Sequence, residues 1–285
     1  MEQLRPFVKW VGGKTQLLPA IASLMPKTYR HYYEPFLGGG ALLFHIQPDV
    51  AYISDINPVL VQTYRDIRNH PTDFMQATHD IDVLLQVPTF SQQDRNQYYL
   101  SCRSAFNKLL REKDYGLKSS ALFLFLNKHC FNGLYRTNQR GEFNAPFAYT
   151  ARNSFQKEHI AAVSRFLSHR GIHLAAQDFA LTCALPREAD FVFIDSPYAP
   201  LTDTSFVSYT KSGFPASEHV RLALTVRDMA ERGVKVMVTN HDTPFIHELY
   251  DGFSFRKVPV HRNINCDGAH RYGEEVIITT YPQET

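Results

Sequence analysis

The pattern that most restricts this chain is an alternation of strand and helix signals that starts, stops and starts again. Residues 31–34 (His-Tyr-Tyr-Glu) read as a short buried strand. The turn Pro35-Phe36-Leu37-Gly38-Gly39-Gly40 leads into a helix opening at Ala41-Leu42-Leu43-Phe44. Residues 51–55 read as a second strand ending in an acid, Asp55. Asn57-Pro58 then starts a helix over 59–68, because Asn caps and Pro suits a first turn. The rhythm resumes with a strand at 172–176, followed by Gln177-Asp178-Phe179, and an apolar strand at 190–194 ending at Asp195. Residues 217–231 predict a helix closed near Gly233, residues 234–238 a strand, and residues 253–262 with 272–281 a closing hairpin. Such alternation predicts an α/β fold with a mostly parallel sheet and helices on both faces. Ligands of these sheets sit beyond the carboxyl ends of the strands.

Between the two rhythmic stretches, residues 70–160 have another texture. Helical patterns cover 91–110 and 119–128, and a polar Asn/Arg/Gly-rich loop covers 131–153. A chain of 285 residues suits one core carrying a large insertion. We therefore expect one domain from residues 1–57 and 158–285, and an inserted one from residues 58–157. With 44% hydrophobic and 20% charged residues, disorder is not expected. No apolar run of about 18 residues predicts a membrane span. The start MEQLRPFVKWVGGK lacks the apolar core of a secretory signal, so a cytoplasmic protein is expected.

Charge and cysteines add limits. Thirty Lys+Arg against 28 Asp+Glu gives +2, which by itself does not imply nucleic acid. Locally, Lys128, Arg136, Arg140 and Arg152 stand against Glu142 alone, and Arg256, Lys257, Arg262 and Arg271 against Asp267 alone. These stretches read either as basic patches or as solvated loops. Cys102, Cys130, Cys183 and Cys266 form no CxxC pair, so reduced thiols and no metal site are expected.

Three segments carry chemistry. Glycines at the strand-to-helix turn 34–40 let backbone approach a ligand, and Asp55, 21 residues after Glu34, suits two ribose hydroxyls. A nucleoside-type cofactor fits, though a plain tight turn would also use these glycines; the absence of GxGxxG disfavours a nicotinamide dinucleotide. Asp195-Ser196-Pro197-Tyr198, directly after a strand, combines a carboxylate able to accept from an exocyclic amine with an aromatic able to stack on its base. Pro197 pushes Ser196 toward extended backbone and so fixes the direction of its carbonyl; a turn is the other reading. Phe7-Val-Lys-Trp-Val-Gly-Gly-Lys14 reads as a loop closing over a ligand, or as an N-terminal arm.

The segments FVKWVGGK, YYEPFLGGGALLF, YISDIN, NGLYRTNQRGEFNAPF, FVFIDSPYAP and VTNHDT occur in this order. Together they resemble the Dam family of DNA adenine-N6 methyltransferases, of the alpha-group, GATC-type arrangement, from about residue 7 to residue 280. The resemblance implies a seven-stranded Rossmann-like methyltransferase sheet with a β-hairpin at one edge and an inserted helical DNA-recognition domain. It also implies S-adenosyl-L-methionine as cofactor. By family position Trp10 and Lys14 help hold it, Phe36, Gly38 and Gly40 line its pocket, and Asp55 takes its ribose. Asp178 and Phe179 flank its adenine, and Asp195 serves both the catalytic site and the cofactor edge.

The implied substrate is double-stranded DNA, and the chemistry explains the catalytic set Asp195, Ser196, Pro197 and Tyr198. The adenine N6 is conjugated into the ring, is a poor nucleophile and is unreachable within a duplex, so the base must be flipped out. Asp195 and the Ser196 carbonyl each accept one N6 hydrogen, and positioning and electrostatics supply most of the acceleration. The family has Asp-Pro-Pro-Tyr where this chain has Ser196. Serine keeps the carbonyl but adds an N–H and loses the fixed φ, so reduced but nonzero turnover is expected.

For DNA reading, the resemblance implies that Arg136 contacts guanine O6 and N7, and that Lys9 contacts the outer guanine. Phe131 wedges into the stack and Asn132 occupies the vacated space. Leu134 and Pro146 meet a thymine methyl, and Arg103, Asn138 and Asn144 contact phosphate. The loop 263–272 either grips the DNA backbone or is solvated. A monomer is expected, with or without a cognate restriction endonuclease. The alternatives are a methyltransferase acting on another recognition sequence, on RNA or on a protein amide nitrogen, and a DNA-binding pseudoenzyme weakened by Ser196.

Overall fold

A computed structural model of the chain describes residues 3–10, 14–133, 135–150, 152–201, 214–261 and 272–282. Val11, Gly12, Gly13, Leu134, Cys266 and the greater part of the loop 263–272 lie outside the described residues. The strands are β1 (Tyr32–Glu34), β2 (Ala51–Asp55), β3 (Ile172–Ala176), β4 (Phe191–Ile194), β5 (Lys235–His241), β6 (Ser254–His261) and β7 (Tyr272–Thr279). They form a seven-stranded sheet in the order β3-β2-β1-β4-β5-β7-β6. β1 is parallel to β2 and β4, and β4 to β5, whereas β7 is antiparallel to β5 and β6. This is the mostly parallel sheet with an edge hairpin that the sequence predicts. All four residues of β4 are buried, as an unbroken apolar run in a central parallel strand requires.

The helices are α1 (Leu18–Leu24), α2 (Ala41–Ile46), α3 (Pro58–Asn69), α4 (Pro71–Leu85), α5 (Gln92–Glu112), α6 (Leu117–His129), α7 (Lys157–Leu167), α8 (Phe179–Cys183), α9 (Ala216–Glu231) and α10 (Pro244–Leu249). Asn57 caps α3 as expected, its side chain accepting from Leu60 N–H at 3.3 Å, with Pro58 in the first turn. Ser91 and Asp94 form a reciprocal capping box at the start of α5. The chain packs as two compact units. One comprises Met1–Gly13, Gly38–Gln47 and Asp55–Gln177, and the other Lys14–Leu37, Pro48–Ser54 and Asp178–Thr285.

The first unit is built around α6, whose residues Ser119–Asn127 are buried without interruption. A helix apolar on nearly every side belongs at the centre of a bundle, and α3, α4 and α5 surround it. The chain after α6 folds back as an antiparallel ribbon through the pairs Cys130↔Phe147 and Thr137↔Phe143. Its tip is an Asn-driven turn: Asn138 Oδ1 accepts from the N–H groups of Arg140 and Glu142, and Gly141 takes φ +76°. The Asn107 amide on α5 pairs with both backbone groups of Phe143. Tyr99, also on α5, donates to the Ala145 carbonyl at 3.0 Å. A buried polar network fixes the base of the ribbon. Asp82 on α4 accepts from Ser154 N–H at 2.8 Å and Ser154 Oγ at 2.6 Å, and lies 3.4 Å from His129 Nε2. His129 Nδ1 lies 3.0 Å from the Thr150 carbonyl and so carries the proton.

In the second unit, Val192, Ile194, Val236, Val238 and Ile278 from the sheet pack with Leu222, Val226 and Met229 of α9 and Ile246 of α10. Gly233, at φ +77°, ends α9 and turns the chain toward β5.

Candidate active site

β4 runs out at Ile194 and delivers Asp195 into polar surroundings. One carboxylate oxygen, Oδ1, is held twice: by Lys14 Nζ at 2.8 Å and by Thr239 Oγ1 on β5, also at 2.8 Å. Among the described residues Oδ2 accepts no hydrogen bond. The Lys14 side chain is only 6% exposed. Its ammonium also lies 4.4 Å over the centroid of the Tyr198 ring, a cation–π contact.

Tyr198 is gripped on several sides. Its hydroxyl donates to Glu275 Oε2 at 2.7 Å, and the His241 ring meets it edge-on at 4.8 Å. Burial first, then the charges of Asp195 and Glu275, push the Tyr198 phenol far above its ordinary range, so it stays neutral. Ser196 is buried and its hydroxyl has no hydrogen-bond partner among the described residues, whereas Pro197 is exposed. Asn240 accepts from Ala199 N–H at 2.9 Å and closes the loop.

Phe36 and Phe179 stack at 5.2 Å in this same unit. Asp178 caps α8 by accepting from Ala180 N–H, and its two oxygens also receive the forked guanidinium of Arg221 at 2.8 Å each. That pairing holds the Asp178 carboxyl below its ordinary range. The same guanidinium lies 4.0 Å over the Phe179 ring and also pairs with Glu218.

In the other unit, Gly38 carries φ +48° and its N–H donates to Asp55 Oδ2 at 2.9 Å. Asn57 N–H donates to Oδ1 at 2.9 Å, so both oxygens of Asp55 are aimed by backbone. Burial raises the Asp55 pKa against these bonds. The Tyr64 hydroxyl holds the Gly38 carbonyl at 3.1 Å. A Cβ on Gly38 would stand 2.7 Å from Trp10 Cδ1, so the indole lies directly over this backbone. Trp10 in turn stacks on Tyr135 at 5.6 Å and 16°. Gly40, at φ +69°, opens α2.

The ribbon carries the residues expected to read DNA. Phe131 is 57% exposed beside Asn132, which takes φ +57°, a left-handed conformation Asn tolerates. Arg136 and Pro146 are exposed. Arg136 Nε donates to Asn144 Oδ1 at 2.7 Å, so these two side chains brace each other. Asn138 is engaged in the turn, and Arg103 donates to the Ala145 carbonyl at 3.3 Å. Lys9 is exposed, but its backbone is clamped by the buried Asn127 amide, with N–H to Oδ1 at 2.8 Å and Nδ2 to carbonyl at 2.7 Å. Asn127 Nδ2 also reaches the Gly133 carbonyl at 3.3 Å.

Several contributors escape a reading of the sequence. Thr239, Asn240 and Glu275 belong to strands far along the chain, and Arg221 to a helix. The segment VTNHDT was the sole signal for the first two. For Lys128, which the basic stretch did include, burial and then repulsion from Lys9, Arg152 and Arg5 lower the pKa to about 8.

A family model described as D12 class N6 adenine-specific DNA methyltransferase matches residues 10–264. The chain is 36% identical over 282 residues to the type II methyltransferase M1.LlaDCHI of Lactococcus lactis subsp. cremoris, covering 98% of this chain and 96% of that relative. It is 36% identical to the type II methyltransferase M.MjaIII of Methanocaldococcus jannaschii, covering 94% and 96%. It is 29% identical to the DNA adenine methylase of Escherichia coli K12, covering 99% and 96%.

Proposed function

Because the chain belongs to the D12 class of N6 adenine-specific DNA methyltransferases, we propose that it uses S-adenosyl-L-methionine to methylate a flipped-out adenine, with GATC as its site. The observation that carries this reading is the asymmetry of Asp195, one oxygen held by Lys14 and Thr239 and the other with no bond among the described residues. A carboxylate so fixed can accept an N6 hydrogen without reorganising, which is the condition for electrostatic catalysis. The Ser196 carbonyl accepts the second hydrogen, and the Tyr198 ring stacks on the adenine. The cofactor, when bound, supplies an electrophilic methyl on sulfur.

The chain's residues fit that cofactor. The Gly38 backbone donates its N–H to Asp55, and a Cβ at position 38 would collide with the Trp10 indole, so only glycine keeps this turn. Asp55 would accept from the ribose hydroxyls with lone pairs that the two backbone bonds leave over. Phe36 and Asp178 would meet the adenine, with Arg221 keeping Asp178 ionised as an acceptor. Phe179 supports Phe36 and is itself faced by Arg221.

DNA is read by residues 58–157, on the ribbon. Burial first, and then repulsion from Lys9, Arg152 and Arg5, depresses Lys128, and these cations together make a concentration of charge suited to a phosphate backbone. Arg136→Ala is expected to cost about 1–3 kcal/mol, or roughly tenfold to a hundredfold, at one base pair only. Binding assays across single-base variants of the site check it; equal weakening on every sequence would make Arg136 a phosphate contact.

Ser196 is where a second reading, a weakened enzyme, finds support. Its hydroxyl is buried and has no hydrogen-bond partner among the described residues. Ser196→Pro is expected to raise kcat a few-fold, as the fixed φ aims the same carbonyl. A kcat unchanged in single-turnover assays would show that serine aims it as well. The test of the function as a whole is transfer of labelled methyl from S-adenosyl-L-methionine to duplexes containing GATC, GTTC or no site. Transfer to GATC alone supports the full reading, transfer to another site changes the specificity, and binding without transfer leaves a pseudoenzyme.

A further inference from the structure

The loop that carries Asp195 and Tyr198 is held by three consecutive residues of β5 and one of β7. Thr239 donates to Asp195 Oδ1 at 2.8 Å. Asn240 Oδ1 accepts from Ala199 N–H at 2.9 Å. His241 Nδ1 lies 2.7 Å from the Ala199 carbonyl, which can only accept, so that nitrogen carries the proton, and its ring abuts Tyr198. Glu275 faces His241 across the antiparallel β5–β7 pair, and cross-strand partners put their side chains on one face. Its carboxylate therefore comes up beside the His241 ring and takes the Tyr198 hydroxyl at 2.7 Å.

A phenol ring has two soft torsions. Lys14 constrains one face of the Tyr198 ring and His241 meets it edge-on, but neither fixes the far end of the side chain. Among the described residues the hydroxyl is held by Glu275 and by the Thr239 side chain, and of the two the charge-assisted bond to Glu275 is of the stronger kind. The plane of the ring is the surface against which a flipped base would lie, so its tilt sets the height and angle of the amine relative to Asp195.

Resting on the methyl-transfer reading above, we propose that Glu275 is a positioning residue for that reaction: by holding the Tyr198 hydroxyl it fixes the ring plane against which the target adenine stacks. The edge hairpin thus does more than extend the sheet. It brings to the active site an acid that no reading of the catalytic tetrapeptide would include.

The experiment compares Glu275→Leu, Glu275→Gln and Tyr198→Phe, alone and combined, in steady-state methyl transfer to a GATC duplex. Small misplacements at a reacting centre can cost about a hundredfold. Glu275→Leu is expected to lower kcat by about tenfold or more, with KM for S-adenosyl-L-methionine within about twofold of wild type. Glu275→Gln, which keeps an acceptor oxygen, is expected to stay within about threefold. Tyr198→Phe removes the hydroxyl but leaves the ring, and is expected to lose as much as Glu275→Leu. Adding Glu275→Leu to Tyr198→Phe is expected to cost nothing more, which a merely structural role would not produce. A kcat for Glu275→Leu within twofold of wild type overturns the proposal. So does an undiminished further loss in the Tyr198→Phe background. If Glu275→Leu does not fold, Tyr198→Phe alone decides, since a wild-type rate there overturns it too. Wild-type transfer is measured first, to GATC and to duplexes of other sequence: its absence on all of them sinks the methyl-transfer reading, while wild-type transfer with an indifferent Glu275 sinks the positioning role alone.

Discussion

Asp195→Asn is expected to lower kcat for methyl transfer by about three orders of magnitude while leaving DNA binding within a few-fold. The substitution keeps the volume of the side chain and removes its charge. Lys14 then loses its anionic partner in a site where the lysine side chain is almost wholly buried. The amide can orient its oxygen toward Lys14 and Thr239, which donate to Oδ1 in the native chain. In that orientation its NH2 group occupies the position of Oδ2, and the amine of an adenine meets a donor instead of an acceptor. The loss thus has two parts, a missing acceptor and an opposing dipole, and both act on the transition state more than on binding. Single-turnover transfer with saturating DNA and cofactor measures it. A rate within about tenfold of wild type would remove Asp195 from the chemistry.

Asp82→Ala is the second large effect, and it falls on stability. Asp82 is 1% exposed and satisfies the N–H and hydroxyl of Ser154 beside the buried His129. Deleting it strands those donors in an interior that water does not reach. Removing one partner of a buried polar pair costs about 3–5 kcal/mol. Urea denaturation is expected to show a loss of this size, and Asp82→Asn, which keeps one acceptor, a smaller one. Since His129 and Ser154 bracket the ribbon, the alanine variant is also expected to bind DNA more weakly. A loss below about 1 kcal/mol would mean that water replaces the carboxylate.

Much of the fold was legible because its signals were local. The run Phe191–Ile194 reads as an apolar strand and Asn57-Pro58 as a helix start, and both form where expected. α4 was not legible, and its buried face shows why. That face runs through Phe74, Thr78, Asp82 and Leu85, so two of its four stations are polar. Thr78 satisfies its hydroxyl on the Phe74 carbonyl, and Asp82 on Ser154, so helical spacing is present but the apolar pattern that would announce it is not. α8 and α10 were missed because five and six residues are too few to show a period. In the site, Asp195 and Tyr198 were readable since they share a tetrapeptide. Glu275 was not, because its position depends on the register of β7 against β5. Arg221 likewise depends on how α9 lies against α8.

The clamp between Asn127 and the Lys9 backbone bears on attempts to transplant sequence recognition between scaffolds. A graft limited to residues 58–157 would carry the Asn127 amide without the strand of backbone that satisfies it. The transplanted helix would then enter its new host with an unmet polar group at the heart of its bundle. Gly133, against which the Lys9 side chain packs, would lose its cover at the same time. On the proposed reading, the exchangeable cassette is therefore discontinuous: a graft of the insert is expected to pack as it does here only when residues 5–10 travel with it.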